Sequence, residues 1–280
     1  MLHPLQFEDL LHAELAADIG AGDITTDLTV PEFKVGRAEM IAKAEGIVAG
    51  LPIAESAFAI VEPRCQWEAR VRDGDRVRPG ALLATVTGPA RGLLSAERVA
   101  LNFVQRLSGV ATLTMAFVVS VAGTGAKIVD TRKTTPGLRQ LEKYAVRCGG
   151  GVNHRIGLQD AVLIKDNHLA AGGGIGATVY RARELAPHTM RIEVECKTLA
   201  QVDEALAAGP DIILLDNMDT DMLREAVRRI GGQAITEASG GVNLQTVRAI
   251  AETGVDLISV GALTHSAPAL DISLDIVAAE

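Results

Sequence analysis

A rhythm that begins at Lys127 constrains this chain more than any other feature. Short apolar runs recur at 127–129, 161–164, 191–194, 212–215, 234–236 and 257–260, and amphipathic stretches at 199–208, 220–230 and 244–253 separate several of them. Apolar runs of that length read as strands buried on both faces, and buried strands alternating with helices form parallel sheets. Gly209 and Gly254 stand where two of the helices should stop. The spacing predicts a barrel somewhat smaller than eight-fold, with six strands legible and a seventh lost in the pattern; a doubly wound sheet is the alternative.

Every run finishes in polar residues. These are Asp130-Thr131-Arg132-Lys133, Lys165-Asp166-Asn167-His168, Glu193 with Glu195-Cys196-Lys197, Asp216-Asn217, Glu237 with Ser239-Gly240-Gly241, and Ser259 with Gly261. In parallel α/β folds the carboxyl ends of the strands gather on one face, so these distant segments should converge into one polar bowl. Its cations are Arg132, Lys133, Arg155 and Lys165, with His154 beside Arg155; its carboxylates are Glu195 and Asp216. Such a set calls for a ligand with several negative groups. Two acids on successive strands, without Cys or His ligands, suit magnesium held partly by substrate phosphates. Ser239-Gly240-Gly241 and Val260-Gly261-Ala262 are small enough to let backbone N–H groups approach a phosphate, with helix N-termini expected behind them.

The first half reads differently. Phe7, Leu10, Leu11 and Leu15 share a helical face, and 38–44 and 47–51 read as strands. The stretch EARVRDGDRVRPGALLATVTG reads as short strands broken at Asp73-Gly74 and Pro79-Gly80. It is similar to lipoyl-type sandwiches but lacks the carrier lysine, so it reads as scaffold. A long helix should follow, N-capped by Ser95, running to about residue 121 and offering a kink at Gly109. Arg98 then falls in its first turn, where the helix dipole disfavours a cation.

Composition removes several function classes. With 27 basic against 35 acidic residues, a net charge of -8 and only 3% aromatic residues, the chain has neither a phosphate-backbone track nor a stacking platform for nucleic acid. The longest apolar stretch, 110–121, carries Thr112, Thr114 and Ser120 and is too short to span a bilayer, and the N-terminus does not look like a signal peptide. Cys65, Cys148 and Cys196 form no CxxC pair, and an odd count fits a reducing cytoplasm. Trp67 reads as packing, Cys148 and Cys196 as inert thiols, His168 as a loop hydrogen-bonder, and His265 has no assigned role.

DTRKTTPGLR, EKYAVRCGGGVNHRIGLQDAVLIKDNHL, EVECKT, ILLDNM, EASGG and SVGALTHSAPALDISLDI closely resemble the quinolinate phosphoribosyltransferases. The resemblance runs from about His3 to Ile276. It implies an N-terminal α/β sandwich domain, here 1–108, and an incomplete, seven-stranded α/β barrel, here 109–280, with the C-terminal tail returning to the first domain. It implies a cytoplasmic homodimer that joins quinolinate to phosphoribosyl pyrophosphate with magnesium, giving nicotinate mononucleotide, pyrophosphate and carbon dioxide in NAD synthesis. By the same resemblance, Arg98 reaches the quinolinate of the neighbouring subunit. Arg132, His154, Arg155 and Lys165 line the quinolinate site, Thr131 also binds substrate, and Lys133 lies near the pyrophosphate. Glu195 and Asp216 serve the ribose hydroxyls and magnesium, while Ser239, Gly240, Gly241, Val260, Gly261 and Ala262 cradle the 5′-phosphate. A paralogue associated with molybdenum transport shares DTRKT-like motifs, but the ending here looks like the biosynthetic enzyme.

Two other readings compete. Lys165 at a strand end could form a Schiff base, although neighbouring cations and a pairing with Asp166 argue against it. The run from Gly172 to Ala177 matches GxGxxA, but polar residues separate it from the strand, so a flexible loop is the better reading.

Overall fold

The computed structural model describes residues 2–277, in two compact units. One comprises residues 1–115, 135–150 and 266–280; the other comprises 116–134 and 151–265. The division follows space and not a single cut in the chain, because the N-terminal unit takes in two later segments.

The N-terminal unit is built on a four-stranded antiparallel sheet in the order Ile272–Val277, Val35–Ala42, Leu82–Pro89, Gln66–Ala69. Along Val35–Ala42, Ala38, Met40 and Ala42 are buried and alternate with more exposed Arg37, Glu39 and Ile41, the period-2 signature of a half-buried strand. Gly46–Ile47 pairs with Arg76–Val77 as a separate short ladder. The reading of 47–51 as strand is overturned beyond Ile47, because a helix, Leu51–Val61, begins there and buries Ile53, Ala54, Ala57 and Phe58. Asp73 starts that helix: its carboxylate accepts from Gly50 N at 2.8 Å and Leu51 N at 3.1 Å. Trp67 packs against Phe58 with ring centroids 5.9 Å apart.

The long helix runs Ala90–Ser120, so Ser95 is not its N-cap. Ser95 Oγ instead donates to Asp23 Oδ2 at 3.1 Å, and Asp23 caps a short helix, Ile24–Thr29, by accepting from Thr26 N. The cap-like sequence was real, but tertiary contact took the hydroxyl. The helix passes unbroken through Gly109, where a Cβ would overlap the Pro268 carbonyl oxygen; close backbone approach, not a kink, explains this glycine. Although long and apolar enough to cross a bilayer by composition, this helix buries Val99, Ala100, Leu101, Val104 and Leu107 and serves as a core element.

The second unit carries a six-stranded parallel sheet in the order Lys127–Val129, Leu257–Ser259, Ile235–Ser239, Ile212–Asp216, Ile192–Cys196, Val162–Ile164. A single parallel bridge, Val129–Val152, stands where the resemblance called for a seventh strand. The connecting helices Leu199–Ala208 and Thr220–Ile230 match the sequence reading, with Thr198 and Asp219 as N-caps and Gly209 and Gly231 left-handed at the ends. The third covers only Val247–Ala251. Gly172–Gly176 is neither a dinucleotide turn nor a plain loop: Gly172 ends one helix, Asp166–Gly172, and Gly174 precedes the next, Ile175–Leu185.

Candidate active site

The carboxyl ends of the parallel strands open into a cup of about 460 Å³, lined by Thr131, Arg132, Lys133, His154, Arg155, Leu163, Lys165, Glu195, Leu214, Asp216, Asn217, Glu237, Ser239 and Ser259. Volume alone does not mark it, since a groove of about 700 Å³ in the N-terminal unit is larger. There, however, Asp73 is committed to capping and the Arg147 guanidinium lies over the Tyr144 ring.

Nine expected residues meet in the cup: Thr131, Arg132, Lys133, His154, Arg155, Lys165, Glu195, Asp216 and Ser239. Strand register explains the acids. Glu195 and Glu237 both pair with Leu214, and Asp216 pairs with Ser239 one step further up. In Ile192–Cys196 the alternate residues Glu193 and Glu195 share one face, leaving Val194 and Cys196 to pack on the other. Arg98 lies on an exposed part of the helix Ala90–Ser120, 3.9 Å from Glu97, and does not line this cup. Gly240, Gly241, Val260, Gly261 and Ala262 follow Ser239 and Ser259 without lining it themselves. Gly240 is left-handed with φ +96°, and a Cβ there would overlap the Asn217 side-chain amide. The helices expected behind these glycines are slight: Val247–Ala251 starts well downstream of Gly241, and Ala262–His265 is only four residues, so a helix dipole contributes little. His265 Nε2 sits beside Gly261, as does the Lys133 side chain.

Electrostatics separate the cup into two sets. Lys165 pairs with Glu195 at 2.8 Å, and Asp166 pairs with Lys197 at 2.7 Å, so the expected Lys165–Asp166 partnership does not form. Burial, then the neighbouring Arg132 guanidinium, disfavours the charge on Arg155. Its Nη1 donates to Ala161 O at 2.9 Å, but its buried Nε has no hydrogen-bond partner. Two guanidiniums that repel each other in a half-buried place are stabilised when an anion enters between them. Lys133 is fixed at its backbone, its carbonyl accepting from Thr264 Oγ1 at 2.7 Å.

Sequence reasoning assigned no role to Asp130, Glu193, Glu237, Asn217 or Ser259. Glu193 and Glu237 are almost wholly buried. His154 Nδ1 accepts from Arg155 N at 2.7 Å, a pattern that assigns the ring proton to Nε2, which donates to Glu193 Oε2 at 3.0 Å. Glu237 Oε1 is 3.8 Å from the same nitrogen. Potential donor atoms of His154, Glu193 and Glu237 lie within 4.8 Å of one another, yet this tautomer points no lone pair from Nε2 at a metal. Burial, with the Glu193 carboxylate beside it, pushes Glu237 up to about 7. The signal was visible in principle as acids inside apolar strands with the same parity as Glu195 and Ser239. Glu195 and Asp216, by contrast, offer hard oxygen donors to the cup, one Glu195 oxygen being paired with Lys165, and the Cys196 side chain is on the opposite face of its strand; this donor set fits magnesium. Burial pushes the Cys148 thiol up to about 11 and Cys196 up to about 12, which suits inert thiols.

An incomplete parallel α/β barrel attached to an antiparallel α/β unit, with a cationic cup at its strand ends, defines a class of enzyme that handles multiply anionic small molecules. Comparison makes that class specific. Residues 23–108 match the family described as quinolinate phosphoribosyl transferase, N-terminal domain, and residues 110–275 match its C-terminal domain. A probable nicotinate-nucleotide pyrophosphorylase (carboxylating) of Bacillus subtilis is 47% identical over 275 residues, covering 98% of this chain and 95% of the relative. The nicotinate-nucleotide pyrophosphorylase (carboxylating) of Mycobacterium leprae is 46% identical over 287 residues, covering 99% and 100%. The solved nicotinate-nucleotide pyrophosphorylase of Francisella tularensis superposes with a TM-score of 0.95 at 40% identity, covering 99% of this chain and 98% of that one. The chain belongs to the quinolinate phosphoribosyltransferase family.

Proposed function

We propose that this chain transfers the phosphoribosyl group of phosphoribosyl pyrophosphate to quinolinate, releasing pyrophosphate and carbon dioxide and leaving nicotinate mononucleotide for NAD synthesis. One observation carries the reading: Arg132, Lys133, Arg155 and Lys165 converge in a single cup beside two acids. A pyridine dicarboxylate and a pyrophosphate together supply the negative charge such a cup is short of. The most direct test mixes the protein with phosphoribosyl pyrophosphate and quinolinate labelled at the 2-carboxylate. Label should leave as carbon dioxide only when both substrates are present; no release under saturating substrate would overturn the proposal.

Arg132 and Arg155, helped by Thr131 and Lys165, hold the ring carboxylates and turn the pyridine nitrogen toward ribose C1. Attack forms the N–C1 bond as the C1–O bond to pyrophosphate breaks, and Lys133 meets the charge growing on the leaving group. Glu195 and Asp216 hold the ribose hydroxyls and stabilise positive charge at C1. The same two residues would hold magnesium, which supplies charge neutralisation to the pyrophosphate when bound. The pyridinium formed draws the electron pair of the C2–carboxylate bond into the ring as carbon dioxide leaves, and C2 then takes up a proton. Backbone N–H groups at Ser239–Gly241 and Val260–Ala262 cradle the 5′-phosphate. His154 lines the cup and supports the quinolinate pocket, its Nε2 hydrogen-bonded to Glu193 Oε2.

A homodimer, with Arg98 completing the site of the partner subunit, and residence in the cytoplasm belong to the same proposal. The exposed side chain of Arg98 and the three free cysteines support them. A Schiff-base reaction at Lys165 is disfavoured by its ion pair with Glu195.

A further inference from the structure

On the edge of Lys127–Val129 away from Leu257–Ser259, regular pairing lasts for one bridge. Val152 N donates to Ile128 O at 2.8 Å and Asp130 N donates to Val152 O at 3.2 Å, and there the ladder ends. Beyond that point a side chain continues it. Asp130 is wholly buried; its Oδ1 accepts from His154 N at 2.9 Å and its Oδ2 from Asn153 Nδ2 at 2.6 Å. The segment it grips is the one that delivers His154 and Arg155 to the cup. Arg155 is tied to the protein through its backbone N–H to His154 Nδ1 and through Nη1 to Ala161 O, with Nε buried and unbonded. Its guanidinium therefore stands where the 153–155 backbone puts it. A carboxylate can accept at both oxygens at once, which is what two converging donors require.

We propose that Asp130 is a positioning residue for the substrate-carboxylate pocket, its carboxylate replacing the missing seventh-strand ladder and setting Arg155 against the pyridine dicarboxylate. This rests on the reading that Arg155 holds a quinolinate carboxylate. Asp130 itself touches no substrate.

Asp130→Asn puts an amide N–H₂ against the Asn153 N–H₂, so one donor is left facing another. We expect the KM for quinolinate to rise roughly 10- to 100-fold, the size of a lost buried acceptor, with the KM for phosphoribosyl pyrophosphate within about twofold of wild type. The swapped pair Asp130→Asn with Asn153→Asp restores one donor facing one acceptor and should return the quinolinate KM most of the way, which a general loss of packing would not do. If the single variant fails to fold, the swapped pair decides: folded with a near-native quinolinate KM supports the proposal, and folded with a raised one overturns it. A folded Asp130→Asn with unchanged quinolinate KM also overturns it. Arg155→Ala, measured alongside, separates the two claims. An unchanged quinolinate KM there removes the reading of Arg155, and the inference with it. A large rise there beside a silent Asp130→Asn removes the inference alone.

Discussion

Two regions of the barrel unit treat charge in opposite ways. At the mouth, Arg132 and Lys133 are exposed, and Arg155 is half-buried against a like charge. Below them Asp130, Glu193 and Glu237 are buried, and Asp130 and Glu193 take hydrogen bonds from the 153–154 segment. Asp130 and Glu193 are gripped by the scaffold, while Glu193 Oε1 and Glu237 Oε1 lie buried without a hydrogen-bond partner. At the mouth Lys165 is paired with Glu195, whereas Arg155 stands half-buried against a like charge, a state that an anionic ligand relieves. Buried charge marks what the fold has already used, and crowded, half-solvated charge marks what it holds ready.

The largest test of that contrast falls on the mouth. Arg132→Ala or Arg155→Ala should fold normally and lose about 2–5 kcal/mol of transition-state binding, the cost of leaving a charge unmatched. Steady-state kinetics would show this as a fall in kcat/KM with quinolinate of tens- to thousands-fold. Near-normal kcat/KM in either variant would erase the distinction between mouth and interior. Glu195→Gln or Asp216→Asn should raise the magnesium concentration needed for half-maximal rate by roughly tenfold, as loss of one of two carboxylate ligands implies. An unaltered metal titration in both would remove them as ligands.

A smaller effect is expected at the glycine turn. Gly240→Ala adds a Cβ against Asn217 at a left-handed position, with strain of about 1–3 kcal/mol. It should appear as a higher KM for phosphoribosyl pyrophosphate and a lower melting temperature. An unchanged value of both would show that the turn has room to spare. The smallest signal comes from the buried acids. Glu237 is raised from 4.5 to about 7, first by burial and then by Glu193, with His154 and Ser259 opposing and Asp130 adding to the shift. The folded protein then keeps a proton that the unfolded chain releases between about pH 4.5 and 7, so this group makes stability fall as pH rises through that window. Glu237→Gln should flatten that part of the stability–pH curve; identical slopes in variant and wild type would show that Glu237 is ionised throughout.

Much of this site could be read in the sequence because strand ends are local events. An apolar run followed by Asp-Thr-Arg-Lys or Lys-Asp-Asn-His announces both a strand and the place where it stops, and parallel packing brings such ends together whatever the rest of the chain does. Failures occurred where a local pattern met a distant partner. Ser95 looked like a cap until Asp23 claimed its hydroxyl, and Lys165 looked matched to Asp166 until the sheet placed Glu195 within 2.8 Å. The 47–51 run read as strand although Leu51 opens a helix, because five apolar residues carry no period long enough to separate the two.

Hydrophobic periodicity, glycine stops and polar strand ends therefore determined by themselves that this chain makes a parallel α/β unit with an anion-seeking face, since burial and backbone conformation depend on near neighbours in sequence. Only the tertiary structure decided which of the gathered charges cancel and which stay open: that Glu195 engages Lys165, that the His154 N–H faces Glu193, and that Asp130 stands in for a strand. Those outcomes depend on a few ångströms between residues far apart in the chain, and a Coulomb energy or a hydrogen bond is settled at that scale.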